Sequence, residues 1–455
     1  MFIEYFLALM TIFSSYIDHY KSLIKLGIPI IIGQIGMIIL GFADTLMIGR
    51  YSTQALGAAG FTNNLFNLVI IGSTGFAYGL TPLISSAFSQ RKTQAIGRLL
   101  KNALVVNFTV ALLLTAIMTL VYWNIEALNQ PQQLIPLIKP YYLTLLASLI
   151  PLLLFNAFRQ FSDGISDTKT SMWLLIFGNA FNILGNWLFI YGHWSFPEMG
   201  LFGAGLATLL SRIMMLVLYG IIFLMHPKYK MYLRSFLKSS INAKDFKTLN
   251  RLGWPLALQM AMETAAFCLS AVMVGWIGTE ALAAHQIMLT ISTTFFMIYY
   301  GMGAATSVRV SYFMGTQNIA KARRTAFSGF HLILTIAFIL MVLFWQFRMQ
   351  VGLFFSDNQT VLLMLSGLFL PMVIYQFGDC LQITFANALR GILDVKILMP
   401  FSFIAYFVIS LPLSYYLGIV LNWELIGIWM AFPFGLTSAG LMFFIRFLLK
   451  TRPHL

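Results

Sequence analysis

Asp379 is the residue with the most chemistry to account for. It lies in the stretch 371–394, PMVIYQFGDCLQITFANALRGILD, and is the only charge between Gln359 and Leu389. That run exceeds the ~20 residues that cross a hydrocarbon core. An ionised carboxylate facing lipid is costly, so Asp379 must face a protein interior or a watered cavity, and an acid placed so reads first as functional. Tyr375, four residues earlier, and Gln382, three residues later, share its helical face. Together they offer a cation two carboxylate oxygens, a phenol oxygen with its ring face, and an amide oxygen. The structural alternative is a protonated Asp379 hydrogen-bonded to a neighbouring helix.

Of the fourteen Asp and Glu residues, only Asp44, Glu263 and Asp379 fall within apolar spans. Gln259 and Glu263 sit one turn apart in the seventh span, and Gln34, Met37, Gly41, Asp44 and Ile48 follow one face of the first. If Glu263 and Asp379 approach each other they must share a proton or a cation, because two unscreened carboxylates cannot both stay ionised in low dielectric. This is the chemistry of an ion-coupled antiporter, in which Na⁺ or H⁺ and a cationic substrate compete for one site. The fifth span adds Asn179, Asn182 and Asn186, whose amide oxygens are neutral hard ligands suited to Na⁺. The common role of such Asn residues is interhelical hydrogen bonding, and for each acid the alternative is a neutral packing carboxyl. Gln34, Gln259 and Gln382 are candidates to line a substrate cavity.

These residues need membrane helices to position them. The 455 residues are 59% hydrophobic and 9% charged, with mean hydropathy +0.84, which no soluble core could bury. Cys268 and Cys380 form no CxxC or Cys/His cluster, so neither disulfide nor metal site is expected, and nothing calls for a cofactor beyond the coupling ion. The net charge of +14 would point to nucleic acid only if it gathered on one soluble face, which it does not. The apolar piece within residues 1–20 lacks a basic leader and a small-residue cleavage site, so it does not read as a removed signal peptide.

Twelve spans are expected, at 22–49, 55–88, 102–124, 134–158, 169–191, 200–225, 252–277, 282–312, 326–347, 360–388, 397–418 and 424–447. The side that holds both termini carries 23 of the 28 Lys and Arg. Both termini are therefore expected in the cytoplasm, in a multi-pass protein of a bacterial inner membrane. Arg309 lies near a span end and can snorkel to the headgroups. Arg212 is mid-span, either bonded to carbonyls or paired with Asp44. The only His in a span interior, His285, has no motif around it.

The chain repeats itself. LIKLGIPIIIGQ at Leu23 matches LNRLGWPLALQM at Leu249, and the offset of 226 holds for about seventy residues, laying Gly27 on Gly253 and Pro29 on Pro255. A second echo sets Asp163-Gly-Ile-Ser-Asp167 against Arg390-Gly-Ile-Leu-Asp394. The reading is two six-span lobes, 1–225 and 252–455, joined by a charged cytoplasmic linker at 226–251. Six spans per repeat relate the lobes by an axis along the membrane normal, the plan of an alternating-access carrier.

The segments GFADTLMIGRYSTQALGAAG at 41–60, FNILGNWLFIYG and GLFGAGLAT within 181–208, ETAAFCLSAVMVGWIGTEALAAHQI at 263–287 and YQFGDCLQITFANALRGILD at 375–394 resemble the multidrug and toxic compound extrusion family. The likeness is greatest to its NorM-like bacterial branch. What the resemblance implies is an all-α membrane protein, V-shaped about a central cavity, that exports organic cations and aromatic drugs in exchange for Na⁺ or H⁺. By the same resemblance Asp44 is the first-span carboxylate, Asn182, Asn186 and Thr208 belong to a first-lobe cation site, and Glu263, Tyr375 and Asp379 form the second-lobe site. Where some relatives have Asp in the fifth span, this chain has Asn186.

A lipid-linked precursor flippase is the competing transporter, but it needs several basic groups in the cavity and only Arg212 is a candidate. An intramembrane enzyme would need a nucleophile–base pair or a paired-acid metal motif, which is missing. Nothing marks an oligomer, so a monomer is expected.

Overall fold

The computed structural model describes residues 2–128 and 130–452, with side chains from Tyr16 onward. Most of the apolar piece within residues 1–20 therefore lies outside the described side chains.

Among the described residues every regular element is helical. In order these are α1 (Phe2–Tyr51), α2 (Thr53–Ala77), α3 (Leu80–Ser89), α4 (Thr93–Trp123), α5 (Ile135–Gly164), α6 (Thr168–Tyr191), α7 (Gly200–Met225), α8 (Lys230–Lys238), α9 (Ala243–Gly275), α10 (Thr279–Gly315), α11 (Ile319–Phe355), α12 (Gln359–Gly391), α13 (Leu398–Phe403), α14 (Leu411–Tyr415) and α15 (Glu424–Lys450). Short 3₁₀ turns occur at Ile125–Leu128 and Pro227–Tyr229. Twelve stretches are long and apolar enough to cross a membrane, the number expected; α2 with α3 makes one, and the Leu398–Val420 stretch makes another. The helices outrun the apolar windows: the ninth spans Ile319–Phe355 rather than 326–347. Backbone hydrogen bonding needs no apolar side chain, so a helix continues into the headgroup region until a cap ends it. Asn318 supplies such a cap, its side chain accepting from the Lys321 N–H at 3.0 Å.

Two compact units emerge, residues 32–257 and residues 1–31 with 258–455. Both boundaries cut through helices, α1 at Ile31 and α9 at Ala257. The leading half of α1 packs in the second unit, where Leu23, Leu26 and Ile30 join Tyr299, Met302 and Ala305 in one core. The leading half of α9 packs in the first, with the Trp254 and Phe76 rings edge to face at 5.4 Å. A Cβ on Gly27 would lie 2.9 Å from Met302 Sδ, and one on Gly253 would lie 2.6 Å from the Phe76 ring. Those two contacts are one contact seen twice, since 76 and 302 differ by the same 226 residues that separate the two glycines.

The charged linker is not a loose tether. Tyr229 and Thr170 donate to Asp167, Lys228 pairs with it at 3.0 Å, and Lys101 Nζ donates to the Ser239 carbonyl at 2.6 Å. Arg98 pairs with Asp245 at 2.6 Å. Burial and the bond to Asp167 push the Tyr229 phenol up to about 12, so it stays a donor. Burial tends to raise Asp167, but the hydrogen bonds from Tyr229, Lys228 and Thr170 outweigh it and hold the carboxyl below its ordinary range.

Candidate functional site

Each unit gathers some of the expected site residues into a cluster. In residues 32–257 the cluster is Asp44 of α1, Asn182 and Asn186 of α6 and Thr208 of α7. Asn186 Nδ2 donates to Asp44 Oδ1 at 2.5 Å. With the Asn182 amide turned to satisfy both its ends, its nitrogen donates to the same oxygen at 3.0 Å and its oxygen accepts from the Thr208 N–H and hydroxyl at 3.2 Å. Asn182 and Asn186 can reach Asp44 together because they lie one turn apart on α6. Two amide donors therefore serve the Asp44 carboxylate without any ion.

Arg212, one turn beyond Thr208 on α7, does not pair with Asp44. Its guanidinium donates to Ser148 Oγ of α5 at 2.6 Å, and no carboxylate lies within ion-pair distance of it among the described residues. Gln34 is 2% exposed, with an amide oxygen that finds no donor. It sits ten residues before Asp44, about 15 Å along the helix, outside that cluster.

The second cluster is built on α9 and α12. Gln382 Nε2 donates to Glu263 Oε1 at 3.2 Å, and its own amide oxygen accepts from the Tyr406 hydroxyl at 2.9 Å. Asp379, one turn before Gln382 on the same face, is 1% exposed, and neither of its carboxylate oxygens has a hydrogen-bond partner. Tyr375 lies a further turn back at 4% exposed, its ring near those of Trp429 and Phe432. Close helix packing holds this face in place: a Cβ on Gly440 of α15 would lie 2.9 Å from the Gln382 nitrogen. The acid, phenol and amide expected on one stripe of the tenth span are thus together with Glu263.

Three residues stand differently from the sequence reading. Gln259, expected as a cavity candidate, is already hydrogen-bonded, its amide oxygen accepting from Arg390 Nη2 at 3.1 Å. Arg390, two residues beyond the expected end of the tenth span at 388, is 4% exposed within the last turn of α12. His285 is not alone in lying within a span, since His19 and His331 also do; His19 sits near the start of α1's span and bonds Thr325, and His331 sits more than three turns into α11 and bonds Tyr20. His285 itself is fully buried, its Nδ1 accepting from Trp429 Nε1 at 3.0 Å, a packing role. Arg309 stacks over Tyr312 and Phe313 at the end of α10, as a snorkelling residue should.

Tyr406 is the participant the sequence did not reveal. It falls in an apolar run within the eleventh span, and no spacing rule singles it out. The backbone there is a π-helix over Ile404–Ser410, a distortion that re-aims side chains and often marks functional positions.

A family model described as MatE matches the chain twice, over residues 29–188 and 255–416, so the two matches start with the same offset as the internal repeat. The multidrug resistance protein NorM of Vibrio cholerae is 30% identical over 429 residues, covering 93% of each chain. The NorM of Vibrio vulnificus is 29% identical over 433 residues, covering 94% of each. Among solved structures, the eukaryotic MATE transporter AtDTX14 superposes with a TM-score of 0.86 at 16% identity, over 95% of this chain and 96% of that one.

Proposed function

The chain belongs to the MatE family, whose members are transporters and not enzymes, and on that premise we propose that it is a multidrug efflux antiporter coupled to Na⁺ or H⁺ at the Glu263–Asp379 site. The observation that carries the reading is the pair of buried, unbonded oxygens of Asp379. A carboxyl in that position is held by a proton or by a cation, and coupling requires a group that exchanges between such states. Glu263 adds a second carboxylate and Tyr375 a phenol oxygen, a hard set suited to a small cation. With the site filled, a cationic drug loses its electrostatic partner and is released. With the site empty of the ion, the paired acids attract the next drug molecule.

Asp44 plays a different part. Its carboxylate is satisfied by Asn182 and Asn186, so we read it as a fixed charge toward organic cations rather than the ion-exchanging group. The free amide oxygen of Gln34 makes it the glutamine left to contact substrate. The excess of basic residues on the side of both termini supports a cytoplasmic location for each, and the function needs no second subunit.

Efflux of ethidium from proteoliposomes, under an imposed Na⁺ gradient or pH gradient separately, tests the reading. One of the two gradients should drive efflux in wild type, and Asp379→Asn should abolish it. Coupled efflux that survives in Asp379→Asn but fails in Asp44→Asn would move coupling to the first cluster. Movement of a lipid-linked precursor without any cation efflux would replace the antiporter with a flippase.

A further inference from the structure

A cavity separate from the Glu263–Asp379 cluster lies in the unit of residues 1–31 and 258–455. It encloses about 350 Å³ where the start of α11 meets Tyr16 of α1 and the end of α15, and Ile319, Arg323, Arg324, Phe327 and Thr451 line it. Neither arginine has a carboxylate within ion-pair distance or an aromatic ring beneath its guanidinium among the described residues. The acids nearest in the chain are otherwise placed: Asp394 pairs with Arg446 at 2.7 Å, and Asp18 is exposed on α1. Thr451 is fully buried but spends its hydroxyl on the Phe447 carbonyl, so the polar character of the lining comes from the two guanidinium groups and the Tyr16 phenol.

Next to Arg323, one turn along α11, the lining turns apolar. Phe327 meets Phe385 and Phe444 edge to face at 6.1 and 6.2 Å. The cavity lies at the ends of two membrane spans, Ile319–Phe355 and Glu424–Lys450, which puts two arginines with no ion-pair partner among the described residues at headgroup depth beside an apolar surface. Lys321, Lys450 and Arg452 around it add to the positive field. A ligand that fits must bring a negative charge on one side and an apolar body on the other.

We propose that this cavity binds the phosphodiester headgroup of an anionic phospholipid, with Arg323 and Arg324 on the phosphate and Phe327 against the glycerol and upper acyl chain. The chemistry of two forked guanidiniums matches phosphate oxygens, and the depth matches a lipid rather than a dissolved ion. The lipid would tie α1, α11 and α15 together at one end of the second unit. The proposal does not depend on which ion is coupled.

The full-length protein in nanodiscs of phosphatidylcholine, with increasing phosphatidylglycerol, tests this. Native mass spectrometry counts retained lipid and thermal unfolding reports its effect, for wild type, Arg323→Gln/Arg324→Gln, Arg323→Lys/Arg324→Lys and a control Arg234→Gln/Lys238→Gln that removes equal charge from α8. Wild type and control should retain phosphatidylglycerol and be stabilised by it; the double glutamine variant should retain roughly ten-fold less or lower still, and the double lysine variant should recover part. Equal retention by the glutamine variant and the control overturns the site, because the attraction is then only the general positive field. An equal stabilisation by soluble glycerol phosphate overturns the lipid assignment in favour of a free phosphate ester.

Discussion

At the scale of single residues, the two clusters differ in what holds their acids. Asp44 is served by amides and Asp379 by nothing. Asp379→Asn should therefore leave folding intact, since it removes an unpartnered buried charge, while ending ion-driven efflux; unfolding temperature and ethidium efflux measured on one preparation check both halves. Tyr406→Phe should act more gently. Losing its donor frees the Gln382 amide that orients Glu263, and an unmet buried group costs about 1–3 kcal/mol, so the half-saturating ion concentration for efflux should rise about ten-fold. An unchanged ion dependence would reduce Tyr406 to packing. Asp167 gives the pH dependence. Its folded-state pKa lies below the unfolded one, so its contribution is complete above about pH 4 and is lost as pH falls through the folded value. Protection from hydrogen exchange across residues 226–242, taken relative to the intrinsic rate at each pH, should fall on acidification below that point, and Asp167→Asn should show the lower protection already at neutral pH.

At the scale of elements, the second site depends on two departures from plain helix packing. The π-helix over Ile404–Ser410 aims Tyr406 at Gln382, and the bare Cα of Gly440 lets α15 lie against the α12 backbone at that residue. A side chain at 440 would push the helices apart where Gln382 holds Glu263. Gly440→Ala should lower stability by about 1–3 kcal/mol and weaken ion coupling with it, although residue 440 touches neither acid. Thermal unfolding with and without Na⁺ separates the two effects: if stability falls but the ion-induced shift is unchanged, the close approach serves packing alone.

At the scale of the molecule, the repeat is written into the packing as well as the sequence. The leading halves of α1 and α9 each pack against the second span of the other repeat, through Gly27 on Met302 and Gly253 on Phe76. The leading half of α1 and the facing turn of α10 lie in one compact unit, so this contact should persist through a transport cycle. Gly27→Cys with Met302→Cys, in a background lacking Cys268 and Cys380, should cross-link through a short bifunctional reagent and leave efflux at the wild-type rate. Efflux that stops until the link is cleaved would mean that α1 and α10 part during the cycle.

Much of this was legible in the chain. Twelve apolar runs, the 226-residue echo and three acids where no acid belongs follow from the cost of burying charge in lipid and from the length a bilayer demands, which are properties of sequence alone. The stripe of Tyr375, Asp379 and Gln382 was legible for the same reason, because residues three and four apart on one helix share a face whatever surrounds them. What crosses between helices was not. Neither the bond from Tyr406 to Gln382, nor the capture of Gln259 by Arg390, nor the turn of Arg212 toward Ser148 instead of Asp44 has a local signature. Each depends on which helices become neighbours and how closely their backbones approach, and only the tertiary structure decides that.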